Sequence, residues 1–197
     1  MILEGLVTTV SPAGAVNVAP MGPRVEPAME WFLLRPFATS QTCRNLKAHG
    51  EGVLHVTDDV LLLARAALGP VEPPPPLRPA ERVRGFVLTG ACRYYEFRVR
   101  SLDEREERVR IEAEVVAAGR LRDVFGFNRA KHAVVEAAIL ATRTAFLPLD
   151  EIEAEYRKLK VLVDKTGGDQ EARAFAFLQD YVARVRAKLA DNPGGPA

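Results

Sequence analysis

The segment from Ala91 to Gly119 constrains the fold more than any other part of this chain of 197 residues. Apolar side chains recur at every second position on both sides of a charged stretch, Asp103 to Arg108. They are Tyr95, Phe97 and Val99 before it and Val109, Ile111, Ala113 and Val115 after it. A period of two is typical of strands with one buried and one solvated face. The segment therefore predicts a long antiparallel hairpin with a solvated tip.

Four more strands are predicted before this hairpin. The first is rich in β-branched residues, and Ser11-Pro12-Ala13-Gly14 forms a turn between it and its partner strand. The four ranges are Ile2 to Val10, Ala15 to Met21, Glu30 to Arg35 and Gly52 to Thr57. In the last of these, we expect His55 to face outward. With the two arms of the hairpin, the prediction is six strands.

Helices are predicted between and after the strands. Ser40 caps a short helix that Gly50 stops, and Asp58 caps a second helix that runs to Leu68. Beyond Arg120 we expect three helices. The first runs from Asn128 to Phe146, and the second is capped by Asp150 and ends at Gly167-Gly168. The third has an apolar stripe from Phe175 to Leu189. The fold class is therefore α+β. We expect a first domain over residues 1–124, a helical segment over 125–191 and a flexible tail over 192–197.

Six prolines lie between Pro70 and Pro79, which favours an extended connector in the polyproline II conformation. The next segment, Gly85 to Gly90, has the glycine spacing of a phosphate-binding loop. Ala91 and Cys92 occupy the positions where such a loop needs Lys and Ser or Thr, so we interpret the segment as a strand.

Charge and composition exclude several classes of function. Lys and Arg total 27 against 26 Asp and Glu, so the chain lacks the basic excess typical of proteins that bind nucleic acid or anionic membranes. The 2 cysteines are too few for a disulfide framework, and neither they nor the 3 histidines have metal-ligand spacing. We predict no metal site. The absence of a signal-peptide pattern and of a long apolar run makes the cytoplasm the expected location.

The loop and helix start from Arg35 to Leu46 could bind a phosphate. A helix N-terminus presents unpaired backbone amides and the positive end of the helix dipole. Thr39, Ser40 and Thr42 add hydroxyl groups, and Arg35 or Arg44 could add a charge-assisted hydrogen bond. An ordinary capped helix explains the same local sequence, because Ser is a common cap.

The arm Asn17-Val18-Ala19-Pro20-Met21-Gly22 could approach a flat ligand. Ala19 and Gly22 leave room beside the backbone, and Asn17 could hydrogen-bond a polar ring edge. Pro20 indicates an edge strand or a strand end. The simple close of a hairpin is the alternative. Taken together, the arm and the helix start predict a phosphorylated aromatic cofactor, which we interpret as FMN.

The succession of these motifs resembles the FMN-binding split barrels of flavin reductases and pyridoxamine-phosphate-oxidase-like proteins. The opening Ile2 to Thr9, Phe127 to His132 and Glu136 to Arg143 are more similar to domain-of-unknown-function family 447. This resemblance implies a six-stranded antiparallel split β-barrel followed by a C-terminal helical segment. It also implies a homodimer with FMN in a groove between the subunits.

Carried over by position, the resemblance assigns two sets of cofactor-binding residues. Asn17, Ala19, Pro20 and Met21 would lie along the isoalloxazine ring, and Arg35, Thr39, Ser40, Thr42 and Asn45 would hold the phosphate end. The family's reaction is not assigned, so the resemblance implies a cofactor and no substrate.

A third set of candidate residues lies near the predicted third helix. Arg129 and His132 share one face of its start, with Glu136 one turn beyond His132. They could bind an anionic substrate or transfer a proton, which makes His132 and Arg129 the candidate catalytic residues. A His132–Glu136 pair without catalytic role is the alternative that the spacing favours.

Three functional hypotheses follow. The first is an FMN-dependent oxidoreductase of unassigned substrate, in which the cofactor supplies the redox chemistry. The second is a non-catalytic flavin-binding, storage or interaction module, which the apolar stripe from Phe175 to Leu189 motivates. The third is that the ligand is another flavin or a pterin-like ring.

Overall fold

The computed structural model of the protein describes residues 1–191 and contains nine strands and five helices there. The strands are β1 (Gly5–Val10), β2 (Val16–Met21), β3 (Arg24–Val25), β4 (Trp31–Leu34), β5 (Glu51–Val56), β6 (Leu77–Pro79), β7 (Phe86–Leu88), β8 (Arg93–Asp103) and β9 (Arg110–Arg120). The helices are α1 (Gln41–His49), α2 (Val60–Leu68), α3 (Arg129–Ala141), α4 (Leu149–Thr166) and α5 (Asp169–Asp191). The tail predicted over residues 192–197 lies outside the described residues.

Backbone contacts divide the chain into two units. The barrel unit comprises Met1–Asp58 and Pro70–Val124, and the helical unit comprises Asp59–Gly69 and the chain from Phe125 onward. Residues 59–69 thus belong to the helical unit, whereas the sequence predicts them as part of the first domain. In the structure, α2 packs against α3 and α5, because its apolar face has Val60, Leu63 and Ala64 buried there.

Seven antiparallel strands form the main sheet of the barrel unit, in the order β2-β1-β5-β8-β9-β4-β3. The α+β class and the split-barrel type agree with the prediction, and all six predicted strands are present. The number six was wrong, because β3 also joins the sheet. A strand of two residues, Arg24 and Val25, is too short to show an alternating pattern.

The alternating residues of the β8–β9 hairpin form much of the barrel core. Phe97, Val109, Ile111 and Ala113 are buried, and Tyr95, Val99 and Val115 pack against them half-buried. Phe97 meets Phe32 of β4 edge to face, with ring centroids 5.2 Å apart. Gly52 of β5 makes room for this ring, since a Cβ there would lie 2.7 Å from the Phe97 ring.

A second layer, the ribbon of β6 and β7, covers the outer face of β1 and β5. The Thr8 hydroxyl of β1 donates to the carbonyl of Phe86 over 2.5 Å. The proline-rich run was predicted as a connector only. Its C-terminal end instead forms β6, in which Pro79 sits at the strand end, where a missing amide donor is tolerated.

His55 of β5 lies beneath this ribbon and is fully buried, so the prediction that it faces outward was wrong. The Leu88 amide donates to Nε2 over 3.0 Å, which leaves the proton on Nδ1 to be donated to the Leu6 carbonyl over 3.2 Å. The imidazole thus joins β1, β5 and β7 in its neutral form. Burial lowers its pKa to about 4.

The helical unit buries the first part of the apolar stripe of α5, while Leu189 at its end is exposed. Phe175, Leu178 and Val182 are buried, and Phe175 packs on Tyr156 of α4 with ring centroids 5.4 Å apart.

Three helix ends differ from the prediction. Asp59 rather than Asp58 caps α2, α3 ends at Ala141, and α4 begins after Pro148, where Asp150 instead pairs with Arg186 over 2.5 Å.

We predict that His55 makes stability fall with acidification. The ordinary His pKa of 6.5 exceeds the value of about 4 in the folded protein. Below pH 6.5, His55 is therefore protonated in the unfolded chain but still neutral in the folded one. The loss develops between pH 6.5 and 4 and reaches on the order of 3 kcal/mol. Urea unfolding at pH 7, 5.5 and 4.5 measures it. His55→Gln should be less stable at pH 7 and show a flatter dependence, and equal slopes would contradict the assignment.

Candidate functional site

The start of α1 presents donors that the helix itself leaves unused. Ser40 is the N-cap in an extended conformation, and its Oγ accepts the Cys43 amide over 3.1 Å. The amides of Gln41 and Thr42 belong to the first turn and have no intrahelical acceptor. The first turn contains no acidic residue, so no carboxylate neutralises the positive end of the helix dipole.

The opposite face of α1 fixes this helix start in place. Cys43 and Leu46 are buried and belong to the barrel core beside Val7 and Leu54. Burial raises the pKa of the Cys43 thiol, which therefore remains protonated and is a packing group rather than a nucleophile.

A buried polar network ties α1 to the opening hairpin. Asn17 of β2 donates through Nδ2 to Thr42 Oγ1 over 3.1 Å, and Asn45 donates through Nδ2 to Thr9 Oγ1 over 3.0 Å. Gln41 donates to Asn45 Oδ1 over 2.6 Å. Thr42 and Asn45 are only 2% and 1% exposed. The structure thus brings together three predicted site residues from two distant segments, and it satisfies their polar groups within the protein.

The loop before α1 is fixed to the tip of the β8–β9 hairpin. The Ala38 amide donates to the Glu107 carbonyl over 3.1 Å, and the Val109 amide donates to the Pro36 carbonyl over 2.9 Å. The Arg108 guanidinium lies 3.9 Å from the centroid of the Phe37 ring, a cation–π contact. This support was not predicted, because the sequence does not show that the hairpin tip folds back onto the loop.

Two arginines and two hydroxyls of the loop and of α1 are exposed or half-buried. Arg35 pairs with Glu106 over 2.6 Å, while its Nε is buried without a hydrogen-bond partner among the described residues. Arg44 donates to the Thr39 carbonyl over 2.5 Å and is exposed, as is Thr39 itself. Ser40 is half-buried. These four side chains are at least partly accessible to a ligand, whereas those of Thr42 and Asn45 are buried.

The remaining predicted cofactor residues lie on β2, an edge strand of the sheet. Asn17, Ala19 and Met21 share one face of the strand, and Met21 packs against the barrel core. Pro20 lies on the opposite face and pairs with Leu6 in register. All four are half-buried. An edge strand presents backbone amides and carbonyls that a ligand can use.

The candidate catalytic residues lie in the helical unit. Arg129 and His132 are exposed at the start of α3, where Asn128 caps the helix. The His132 ring stacks on Phe127, with centroids 6.3 Å apart. No His132–Glu136 hydrogen bond is found within residues 1–191, so the alternative of a paired histidine has no contact to support it. Lys131, between them in sequence, pairs with Glu171 over 2.6 Å.

Over residues 1–191, no group of three or more His, Cys, Asp or Glu side chains is arranged to hold a metal ion. Across the same residues, none of the helices combines the length and apolar character required to cross a bilayer. The cytoplasmic location stays a prediction.

The fold and the supported helix start define a split β-barrel carrying an additional helical unit. Residues 3–122 match the family described as "Protein of unknown function (DUF447) N-terminal domain", and residues 128–180 match the description "Protein of unknown function (DUF447)". The chain therefore belongs to the DUF447 family, as the resemblance implied. A comparison with curated proteins gave no significant match.

Solved structures similar to this chain share its fold. The FMN-bound protein MM1853 of Methanosarcina mazei, itself of the DUF447 family, has a TM-score of 0.80 at 23% identity, covering 91% of this chain and 94% of that one. The flavin reductase of styrene monooxygenase from Pseudomonas putida S12 has a TM-score of 0.53 at 14% identity, covering 61% and 82%. A flavoredoxin from Methanosarcina acetivorans has a TM-score of 0.51 at 15% identity, covering 60% and 68%.

We predict that Thr42→Val destabilises the protein while preserving the fold. The substitution keeps the shape of the side chain but removes the hydroxyl that accepts from Asn17, which leaves a partly buried amide without its partner. The expected loss is about 1–3 kcal/mol of unfolding free energy. Thr39→Ala, at an exposed position of the same loop, is the matched control and should change stability by less than ~0.5 kcal/mol. Similar losses in both variants would contradict the network's structural role.

Proposed function

We propose that this protein binds FMN, with the phosphate at the start of α1 and the isoalloxazine ring along β2. The observation that carries the proposal is the FMN-bound relative of the same family, whose fold covers 91% of this chain. The chemistry of the α1 start supports it independently, because unpaired amides, hydroxyls and arginines converge there without an acidic residue in the helix's first turn.

The residues present fit a phosphate monoester, which carries about −1.5 to −2 charges at pH 7. Thr39 and Ser40 would donate hydroxyl hydrogen bonds, and Arg44 would supply a positive charge. Arg35, whose charge is paired with Glu106, would add a hydrogen bond through its buried Nε, which has no acceptor among the described residues. Thr42 and Asn45 would contribute indirectly, by fixing Asn17 and the first turn of α1.

Bound FMN would supply the redox chemistry through its isoalloxazine ring. The chain's own contribution would be to orient that ring. Asn17 and the half-buried stretch from Ala19 to Met21 would flank it, and the backbone of the edge strand would hydrogen-bond its polar rim. On this basis we propose a flavin-dependent oxidoreductase whose substrate is unassigned, with the cofactor in a groove between two copies of the chain.

The apolar stripe that motivates the non-catalytic alternative is buried at its start and exposed at its end, where Leu189 is 46% exposed, so that alternative stays open. The stripe on α5 was offered as a partner surface, but Phe175, Leu178 and Val182 are buried inside the helical unit. Arg129 and His132 are exposed on that unit and remain candidates for contacting a substrate.

FMN binding is tested first by the absorption spectrum of the isolated protein and by quenching of FMN fluorescence on titration. Arg44→Gln should weaken FMN binding about 10- to 100-fold, since a hydrogen bond to a charged group contributes about 1.5–3 kcal/mol. Arg157→Gln, an exposed arginine of α4, is the matched charge control and should bind normally. No binding of FMN at millimolar concentration by the unaltered protein would refute the proposal.

Oxidoreductase activity is tested separately on the FMN-loaded protein. Anaerobic addition of NADH or NADPH should bleach the flavin absorption, and a second substrate should restore it. The storage module would be favoured by a different result. In that case the flavin binds tightly, NADH and NADPH do not reduce it, and flavin reduced with dithionite passes no electrons to an acceptor. Mass spectrometry of the copurified ligand would distinguish FMN from another flavin or a pterin.

A further inference from the structure

A groove of about 710 Å³ opens in the barrel unit at the junction of β4, β8 and β9, and none of the residues predicted to bind FMN lines it. Its apolar lining includes Met29, Trp31, Tyr95 and Val115. This volume is in the range of pockets that hold small organic molecules.

The groove exists because β4 is shorter than β9, the strand with which it pairs. β4 pairs with β9 from Ile111 to Glu114, and the last bond of this edge is from the Val115 amide to the Glu30 carbonyl over 2.8 Å. β9 continues to Arg120, and beyond Val115 no strand of the described chain covers that side. Trp31 stands at the end of β4 with 55% of its surface exposed, an unusual position for a large apolar side chain.

The rim of the groove is held in a defined shape. Met29 has a φ of +56°, a region that L-residues rarely adopt. The Glu26 carboxylate holds this turn by accepting the Ala28 amide over 2.7 Å and the Glu30 amide over 2.6 Å. A strained turn kept in place beside a cavity is a common feature of binding sites.

The charge of the lining is negative. The lining contains three carboxylates, those of Glu30, Glu112 and Glu114, and one guanidinium, that of Arg100. Arg100 donates through Nε to the Glu114 carboxylate over 2.7 Å. Glu112 accepts only the Ser101 hydroxyl, over 3.0 Å, and the Glu30 carboxylate has no hydrogen-bond or ion-pair partner within residues 1–191. Two carboxylates are therefore left without a cation. An indole face attracts cations as well, so the two features favour the same kind of ligand.

We propose that this groove is a binding site for a small organic cation that carries a flat ring, which packs on Trp31 while its positive charge lies beside Glu112, on the same face of the sheet. The site is separate from the FMN-binding residues and does not depend on them. An anionic ligand is disfavoured by the same carboxylates.

The chain offers a direct probe, because Trp31 is its only tryptophan. Titration of the protein as isolated with phenethylammonium should change Trp31 emission saturably, and calorimetry should give the same affinity. At equal concentrations, the neutral 2-phenylethanol should bind more weakly and phenylacetate should not bind. Equal effects of the cation and the anion, or no saturable change with any of them, would overturn the proposal.

Charge-matched variants identify the carboxylates responsible. Glu30→Gln combined with Glu112→Gln should weaken phenethylammonium binding by about fivefold or more. Glu151→Gln combined with Glu155→Gln, on exposed positions of α4, changes the net charge equally and should bind as the unaltered protein does. Equal affinities in the two double variants would overturn the assignment. Trp31 emission that changes with protein concentration but not with any of the added molecules would also overturn the proposal. It would identify the groove as an interface between copies of the chain.

Discussion

Burial of Cys43 and Leu46 in the barrel core determines where α1 begins, and the candidate cofactor site depends on that position. The two residues are three apart, so they lie on one helix face, and Ser40 lies one turn before Cys43. Because the core holds this face, the position of the helix N-terminus and of its free amides is fixed relative to the barrel. The network of Asn17, Thr42 and Asn45 then attaches the same turn to the edge strand β2. Packing therefore uses one face of this helix of nine residues, and the candidate cofactor site uses its N-terminus.

The sequence predicted those elements whose signals are local and repeated. The β8–β9 hairpin followed from its alternation, and the apolar residues of both arms are indeed those that form the core. Ser40 and Gly50 bound α1 as expected, because capping depends on a few neighbouring residues. The fold class followed from the order of such segments.

Features that depend on distant contacts were not predictable. His55 was placed outward because alternation cannot reveal a second layer such as the ribbon of β6 and β7. The resemblance assigned Thr42 and Asn45 to the phosphate end of the cofactor, which stays a prediction, but the sequence did not reveal that their side chains are buried in hydrogen bonds with Asn17 and Thr9. The acidic groove was missed for the same reason, since only the register of β4 on β9 brings Trp31 and Glu112 to one face of the sheet.

The membership of α2 in the helical unit has a consequence for how the chain can be divided. The polypeptide leaves the barrel unit after Asp58, returns at Pro70 and leaves again after Val124. A fragment ending at residue 124 would keep α2 but lose α3 and α5, against which Val60, Leu63 and Ala64 are packed. Such a fragment would expose an apolar helix to solvent and would be prone to aggregation. Expression of the barrel alone therefore requires excising residues 59–69 and bridging the gap with a short polar linker.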